Sequence, residues 1–324
     1  MAIDPHERWK PHRRPGYAGL QSFGGRPYTE SVDDLDGVDV AIVGAPLDEF
    51  VTDLPGARLG PRAIRIASHG FGGVHLDAGI DPFDALRVVD FGDAAVIPAD
   101  PVASHAAIER IVGDVVDAGP IPLILGGDHS IAEPDIRGCA ERHGPLGLIH
   151  FDAHTDTARE LWGVQRSHGT PMYRLVEQGH VAGERYAQVG LRGYWPGEEE
   201  FAWQRERGIT ALRMREVAER GIVDVLAEAI EAVGPGPAFA TIDIDVLDPA
   251  FAPGTGTPEP GGMTSADLLW ACRELAAQLK LVGADVVEVI PSAPLGATDV
   301  TASAAAGIAH ELLTGLALRR EGPS

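Results

Sequence analysis

Short apolar segments alternate with segments of helical periodicity along most of this 324-residue chain. The apolar segments are rich in β-branched residues and end at Gly, Asp or Pro, as buried strands do. They cover residues 38–43, 86–89, 121–125, 146–151, 187–189, 238–244 and 281–289, and the helical patterns cover 105–118, 198–207, 214–233, 264–280 and 302–318. Alternating strands and helices form a parallel sheet that is covered on both faces. We therefore predict a three-layer α/β/α fold with a central parallel sheet.

The composition divides the chain into two parts. Residues 1–35 are rich in Pro, Gly and charge and show no periodicity, which predicts an irregular N-terminal arm that wraps a neighbouring subunit or covers the site. Residues 36–320 contain no repeat, long linker or low-complexity tract. We predict one domain there, because a large α/β sheet often fills such a length as one unit.

Bulk properties exclude several classes of protein. The net charge of −22 repels phosphate backbones, so we expect no nucleic acid partner. No stretch approaches the roughly eighteen apolar residues of a membrane helix, and the first residues lack the apolar core of a secretory signal. We expect a cytoplasmic protein with no membrane partner. Cys139 and Cys272 are the only cysteines, so any metal must be bound by His and carboxylate side chains.

Polar residues follow three of the predicted strands at the point where each strand ends. They are His129, Asp152, His154, Asp156, Asp243 and Asp245. Ligands of parallel sheets bind beyond the carboxyl ends of strands, and alternate residues of an extended chain share one face, so these side chains can converge. Two histidines and four carboxylates exceed what one ion needs, which predicts two divalent metal ions that activate a bridging water. Nitrogen and oxygen ligands suit several divalent ions; the carboxylate majority favours Mn²⁺, with Ni²⁺ as an alternative.

Several motifs, in order and spacing, resemble the ureohydrolases, which are the arginase and agmatinase family. The motifs are PGARLGPRAIR at 55–65, GGDHS at 126–130, FDAHTDT at 151–157, SHGTP at 167–171, TIDIDVLDPAFAPGTGTPEPGG at 241–262 and EVIP at 288–291. The resemblance covers nearly the whole chain. It is stronger to the agmatinase branch, because arginases usually carry Asn two positions after the last Asp of the DAHTD motif, where this chain has Ala158.

The resemblance implies a role for each site residue. It makes His129, Asp152, Asp156 and Asp245 ligands of one metal or both, with His154 and Asp243 completing the pair. A bridging hydroxide then attacks a guanidinium carbon and releases urea and an amine. Asp156 also orients that hydroxide, Glu288 pairs with the guanidinium through a fork-like contact, and His168 carries a proton to the leaving amine.

The tail of the guanidino substrate is left open between two kinds. Arg159 could meet the carboxylate of a guanidino acid such as 4-guanidinobutanoate. Asp48, Glu49 and Asp53 could instead favour a cationic tail such as that of agmatine. Three aromatic residues could line the pocket: Trp162, Tyr194 and Trp195.

Two other functions are compatible with the sequence. One is a deacetylase-like amide hydrolase of the same fold, which typically uses one metal. The other is a catalytically silent metal-binding subunit of a hetero-oligomeric ureohydrolase, since the loop at 48–53 departs from the Gly-Gly-Thr-Ser type common in the family. The resemblance also implies a homo-oligomer, either a trimer or a hexamer.

Overall fold

The computed structural model describes residues 17–194, 197–292 and 299–322. Its strands are β1 (Val40–Ala45), β2 (Val88–Asp93), β3 (Ile121–Gly126), β4 (Leu146–Phe151), β5 (Val181–Leu191), β6 (Thr210–Arg213), β7 (Pro237–Asp243) and β8 (Lys280–Val287). They form one sheet in the order β2-β1-β3-β8-β7-β4-β5-β6. Every neighbouring pair is parallel. The predicted parallel sheet is therefore confirmed.

Helices cover both faces of this sheet. They are α1 (Gly60–Ser68), α2 (Pro82–Ala85), α3 (Pro101–Ala118), α4 (Ala132–His143), α5 (Pro171–Glu177), α6 (Glu198–Arg207), α7 (Met214–Arg220), α8 (Ile222–Val233), α9 (Ser265–Gln278) and α10 (Val300–Glu321). Residues of α8, α9 and α10 pack on the face that carries Ile42, Leu125 and Ile149. Residues of α3, α4 and α5 pack on the opposite face, which carries Ile124 and Leu148. The three layers follow from this double burial.

Several elements differ from the sequence prediction. Strand β6 was not predicted; it has four residues and lies at one edge of the sheet, so its apolar signal is weak. The helix predicted at 214–233 is broken at Gly221, whose φ of 85° is left-handed and ends α7 before α8 begins. Helices α1, α2, α4 and α5 were not predicted. Helices α1, α2 and α5 have only 9, 4 and 7 residues, too few for a clear apolar period, and α4 contains Gly138.

The described part of the N-terminal arm, residues 17–35, packs against the rest of the chain. Phe23 is fully buried, and its ring stacks on His310 of α10 with centroids 4.8 Å apart. Tyr28 forms a bridge with Asp90 of the edge strand β2, where Thr29 N donates to Asp90 O at 3.0 Å. This segment therefore covers one edge of the sheet, which protects an otherwise open row of backbone groups.

None of the described helices combines enough length with enough apolar character to cross a bilayer.

Candidate active site

The polar residues predicted from the sequence lie beyond the carboxyl ends of four adjacent central strands. His129 follows β3, Glu288 follows β8, Asp243 ends β7, and the segment 152–156 follows β4. Two of the turns place non-glycine residues in the left-handed region, with φ of 49° at Asp156 and 60° at Glu288. Such conformations cost about 1–3 kcal/mol each and are common where a side chain is held for function.

His129 stands at the centre of the first group of ligand atoms. Its Nδ1 lies 3.0 Å from Asp152 Oδ2, 2.9 Å from Asp156 Oδ2 and 3.2 Å from Asp243 Oδ2. The nitrogen is buried, yet no aligned hydrogen bond joins it to any of these oxygens. Burial opposes the charged imidazolium, but the three carboxylates outweigh burial and raise the pKa of His129. The surroundings of this nitrogen therefore favour a positive charge.

Thr241 and Asp285 decide which nitrogen of His129 carries the proton. Thr241 Oγ1 donates its single hydrogen to Asp285 Oδ1 at 2.6 Å. Toward His129 Nε2, at 2.9 Å, the same oxygen must then accept, so Nε2 carries the ring proton. In the neutral ring the lone pair is therefore on Nδ1, which faces three carboxylate oxygens. These atoms would hold a metal ion, and a partner on the far ring nitrogen is the usual support of a metal-binding His.

His154 forms the second group. Its Nδ1 lies 3.0 Å from Asp245 Oδ2 and 3.5 Å from Asp152 Oδ1. Asp245 Oδ2 is buried and accepts no hydrogen bond. Asp152 directs one oxygen to each group, so it lies between them as a bridging carboxylate would. The Asp152, His154 and Asp245 ligand atoms lie close enough together to hold one ion.

The donor set fits two divalent ions. With neutral imidazoles, the four carboxylates of Asp152, Asp156, Asp243 and Asp245 sum to a charge of −4, which two divalent cations cancel. Burial and the neighbouring carboxylates of Asp245 and Asp152 raise the pKa of Asp243, and they outweigh the opposing effect of His129. We refer to these four carboxylates with His129 and His154 as the six-residue cluster.

The resemblance implied the members of the six-residue cluster but left open which of them lie together. Asp243, and not Asp245, approaches His129, while Asp245 approaches His154. The reason is local: Asp243 is the last residue of β7, and its Oδ1 accepts from the backbone N of Asp245 at 2.8 Å, so the two side chains diverge. Sequence spacing alone does not contain this turn.

Sequence reasoning missed a buried network behind Asp152. His150 Nε2 lies 2.7 Å from Asp152 Oδ2, and its Nδ1 lies 2.8 Å from Tyr186 Oη. Gln188 Nε2 donates to Tyr186 Oη at 2.8 Å and to the Thr155 carbonyl at 2.7 Å. The network fixes both the orientation of Asp152 and the start of the segment 152–156. Its signal in the sequence is the polar residue inside the apolar strand β4, since an unpaired polar group there is costly.

Glu288 and His168 lie next to the six-residue cluster and contact each other. Glu288 Oε1 is 2.9 Å from His168 Nδ1 and also accepts from His129 N at 2.9 Å. Glu288 Oε2 is buried without a hydrogen-bond partner. Burial opposes a charged His168, but the Glu288 carboxylate prevails and raises the pKa of His168 to about 9. Thr52 N–H, which points at His168 Nε2 from 3.1 Å, opposes a proton on that nitrogen and makes the ring easier to deprotonate.

The loop at 48–53 is attached to the site through its backbone. Phe50 N donates to Asp128 Oδ2 at 3.1 Å, and Phe50 O accepts from His168 N at 3.0 Å. Asp48 is buried and accepts from Gly56 N at 2.7 Å and from the Arg58 guanidinium. Glu49 accepts from Ala99 N at 2.8 Å. Asp48 and Glu49 are thus used within the fold, and of the three carboxylates predicted for a cationic tail only Asp53 lines the cavity.

A cavity of about 470 Å³ opens above the six-residue cluster. Asp156, His154, Asp243 and His168 line it, together with Trp162. Arg159, predicted to meet a substrate carboxylate, is exposed and is not among the described residues of the lining. Trp195, also predicted to bind substrate, lies outside the described residues. Tyr194 is 97% exposed and does not belong to the described lining.

Comparison with known proteins agrees with this geometry. Residues 38–315 match the sequence profile of the Arginase family. The guanidinopropionase of Pseudomonas aeruginosa is 44% identical over 306 residues, covering 94% of this chain and 93% of that protein. The agmatinase of Chromobacterium violaceum is 40% identical over 299 residues, covering 92% and 88%. The structure of proclavaminate amidinohydrolase from Streptomyces clavuligerus superimposes with a TM-score of 0.87 at 36% identity, covering 94% of this chain and 100% of that one.

The fold and the site together define a hydrolase whose His and Asp side chains gather at the carboxyl edge of a parallel sheet. The chain belongs to the arginase family. It is an amidinohydrolase that acts on the C–N bonds of guanidino compounds, as the sequence resemblance implied.

Proposed function

We propose that this protein uses two divalent metal ions to hydrolyse a guanidino compound to urea and a primary amine. The observation that carries the proposal is the six-residue cluster at the base of the cavity, with His129 Nδ1 within 3.2 Å of three carboxylate oxygens. His129, Asp152, Asp156 and Asp243 would hold one ion, and Asp152, His154 and Asp245 would hold the other. When bound, such a pair supplies a hydroxide nucleophile near neutral pH and balances the charge that develops during attack.

Asp156 is suited to orient the attacking water. Its side chain is 10% exposed and lines the cavity, so one carboxylate serves both the cluster and the substrate space. A water that donates one hydrogen to Asp156 has a lone pair free to meet the guanidinium carbon. The fixed turn at Asp156 holds this geometry before substrate arrives, which is how an active site lowers the cost of orientation.

Glu288 is suited to align the guanidinium. Its unpartnered Oε2 would accept an N–H from the planar group, in a charge-assisted hydrogen bond. A Cβ at Gly256 would lie 3.4 Å from this oxygen, so the glycine leaves room beside it. Glu288 Oε1 stays committed to His129 N and His168, and this keeps the carboxylate from rotating away.

His168 is suited to move the proton that the leaving amine requires. The ring contacts Glu288 on one side and Thr52 on the other, and its Nε2 lies 2.7 Å from Thr52 Oγ1. The Glu288 carboxylate favours the protonated ring, whereas the Thr52 backbone N–H favours the neutral one. A group held between two protonation states is the kind that accepts and releases a proton within one turnover.

The test of this proposal is urea release by the purified chain after loading with Mn²⁺ or Ni²⁺. The substrates are agmatine, 4-guanidinobutanoate, 3-guanidinopropanoate, arginine and guanidine. We expect urea from at least one of them and greater activity with Mn²⁺, because carboxylates form the majority of the ligands. A chain that binds metal but releases urea from none of the five would support a silent subunit of a hetero-oligomer and contradict the proposal. A cytoplasmic location, the expected one, is tested by fractionation.

A further inference from the structure

The cavity has an acidic lining beyond the six-residue cluster. Asp53, Glu200 and Glu259 contribute three further carboxylates from three separate segments, and no Lys or Arg occurs among the described residues that line it. In a substrate whose guanidinium faces the cluster, these acids would surround the remote end of the molecule, which we call the tail.

One of these carboxylates, that of Glu200, has unused hydrogen-bonding capacity. Glu200, in the first turn of α6, accepts one long hydrogen bond, from Thr155 Oγ1 at 3.4 Å. The Glu259 carboxylate lies against Gly193, where a Cβ would come within 2.8 Å of its Oε1. Burial raises the pKa of Glu200, because its charge is only partly solvated. A cation in the cavity would supply the missing solvation.

Arg192 and Arg159, which adjoin lining residues in contact or in sequence, are not among the described residues that line the cavity. Arg192 donates to the carbonyl oxygens of Gly190, Asp245, Val246, Leu247 and Glu259. Those bonds occupy its guanidinium, which therefore braces the backbone around the site. Arg159 is exposed and lies outside the described lining. At the tail end of the cavity, a substrate carboxylate would thus meet acids without a Lys or Arg among the described lining residues.

Trp162 adds a second feature that suits a cation. It lies in a tight turn closed by backbone hydrogen bonds of 2.9 Å between Leu161 and Val164, and it lines the cavity while remaining 82% exposed. The face of an indole ring attracts ammonium groups. An exposed aromatic beside three acids is the chemistry that recognises an alkylammonium.

We propose that the substrate tail is a primary ammonium held by Glu200, Glu259 and Asp53, so that agmatine is preferred over guanidino acids. The inference rests on the proposed function and deepens it. The name of the guanidinopropionase relative implies the other kind of tail, one that ends in a carboxylate. Measuring which tail this protein prefers therefore tests the inference.

The experiment compares kcat/KM for three guanidines on the Mn²⁺-loaded protein: agmatine, 4-guanidinobutanoate and uncharged 1-butylguanidine. Like charges brought together at a binding surface cost several kcal/mol, so agmatine should exceed 4-guanidinobutanoate by at least about 100-fold. Equal or greater turnover of the acid would overturn the inference and leave the proposed function standing. Absence of urea from all three would overturn the proposed function itself.

Substitutions of single acids test which of them bind the ammonium group of the tail. In Glu200→Gln the ratio of kcat/KM for agmatine to that for 1-butylguanidine should fall by about tenfold, mainly through KM, because one charge contact is lost. Glu259→Gln should act in the same direction and serves as the second variant. Glu199→Gln is the matched control: Glu199 is in the same helical turn, is exposed and does not belong to the described lining, so the ratio should not change. An unchanged ratio in both Glu200→Gln and Glu259→Gln would contradict the assignment.

Discussion

The hydroxyl of Thr241 fixes the tautomer of His129. In Thr241→Val, the His129 Nε2–H and Asp285 Oδ1 lose their partner while the side-chain shape is kept. We predict a 10–100-fold weaker metal affinity, the usual effect of removing such a support. Metal titration against a competing chelator measures it. Thr241→Ser retains the hydroxyl and should bind as the wild type does; equal affinity of the Val variant would contradict the tautomer argument.

Asp156 is predicted to be required for turnover and dispensable for folding. Asp156→Asn removes one of four negative charges from the cluster and alters the group that orients water. Urea release should fall about 10³-fold or more, as for loss of a principal charge-stabilising group. Circular dichroism should remain native. Asp77→Asn, at an exposed position, is the control and should retain full activity. Retained activity in Asp156→Asn would remove this residue from the mechanism.

His168 gives the stability of the protein a dependence on pH. Although burial opposes it, Glu288 raises the pKa of His168 to about 9, above the roughly 6.5 of an unfolded His. The pair therefore contributes stability that is fully present below about pH 6.5 and is lost as the pH rises through about 9. We predict that the Tm advantage of the metal-free wild type over His168→Asn shrinks across this window. A Tm difference that stays constant with pH would contradict the prediction.

The segments that follow β1 and β3 approach each other closely at Gly127. A Cβ at Gly127 would lie 1.8 Å from the carbonyl oxygen of Leu47, in the loop that follows β1. Gly127→Ala must push this loop away, which should cost about 3 kcal/mol of unfolding free energy and displace Thr52 from His168. Denaturant unfolding measures the loss.

Gly113 provides the opposite case within the same molecule. It lies inside α3, and a Cβ there would meet nothing within 4 Å. Gly113→Ala should therefore stabilise the protein by about 0.5–1 kcal/mol, because alanine loses less backbone entropy in a helix. Equal effects of the two substitutions would contradict the packing argument.

How far the elements could be predicted depended on burial. The central strands β3, β4 and β7 are buried on both faces, so their apolar runs marked them with nearly correct ends. The edge strand β6 has a mixed pattern. Helix α4 packs mostly small and polar residues against the sheet, so its periodicity is weak; a Cβ at Gly138 would lie 3.0 Å from Val112 of α3. Close packing against α3 stabilises α4, and the pattern of apolar residues in the sequence does not show such packing.

The site could also be predicted only in part, because some of its contacts join residues that are far apart in the sequence. Residues that follow a strand end could be found, because the parallel topology brings those ends together. The pairing of Asp243 with His129 depends on one turn, and the contributions of Glu200 and Glu259 depend on how α6 and the segment 253–262 close over the sheet. Such long-range placement comes from packing between elements, so motif spacing does not contain it.

For the whole molecule, we predict a homo-oligomer, either a trimer or a hexamer. Light scattering should give three or six times the chain mass of 34.2 kDa. Exposed apolar side chains at Leu20, Val74 and Leu76 form part of the surface that assembly could bury. A stable species of 34.2 kDa at micromolar concentration would contradict this expectation.

The central claim is that the six-residue cluster holds two divalent ions. The most direct measurement is anomalous X-ray diffraction from crystals of the Mn²⁺-loaded protein, recorded above and below the manganese absorption edge. The account predicts two manganese peaks, one bound by His129 Nδ1 with Asp152, Asp156 and Asp243, and one bound by His154 Nδ1 with Asp152 and Asp245. A single peak, or peaks away from these side chains, would contradict it.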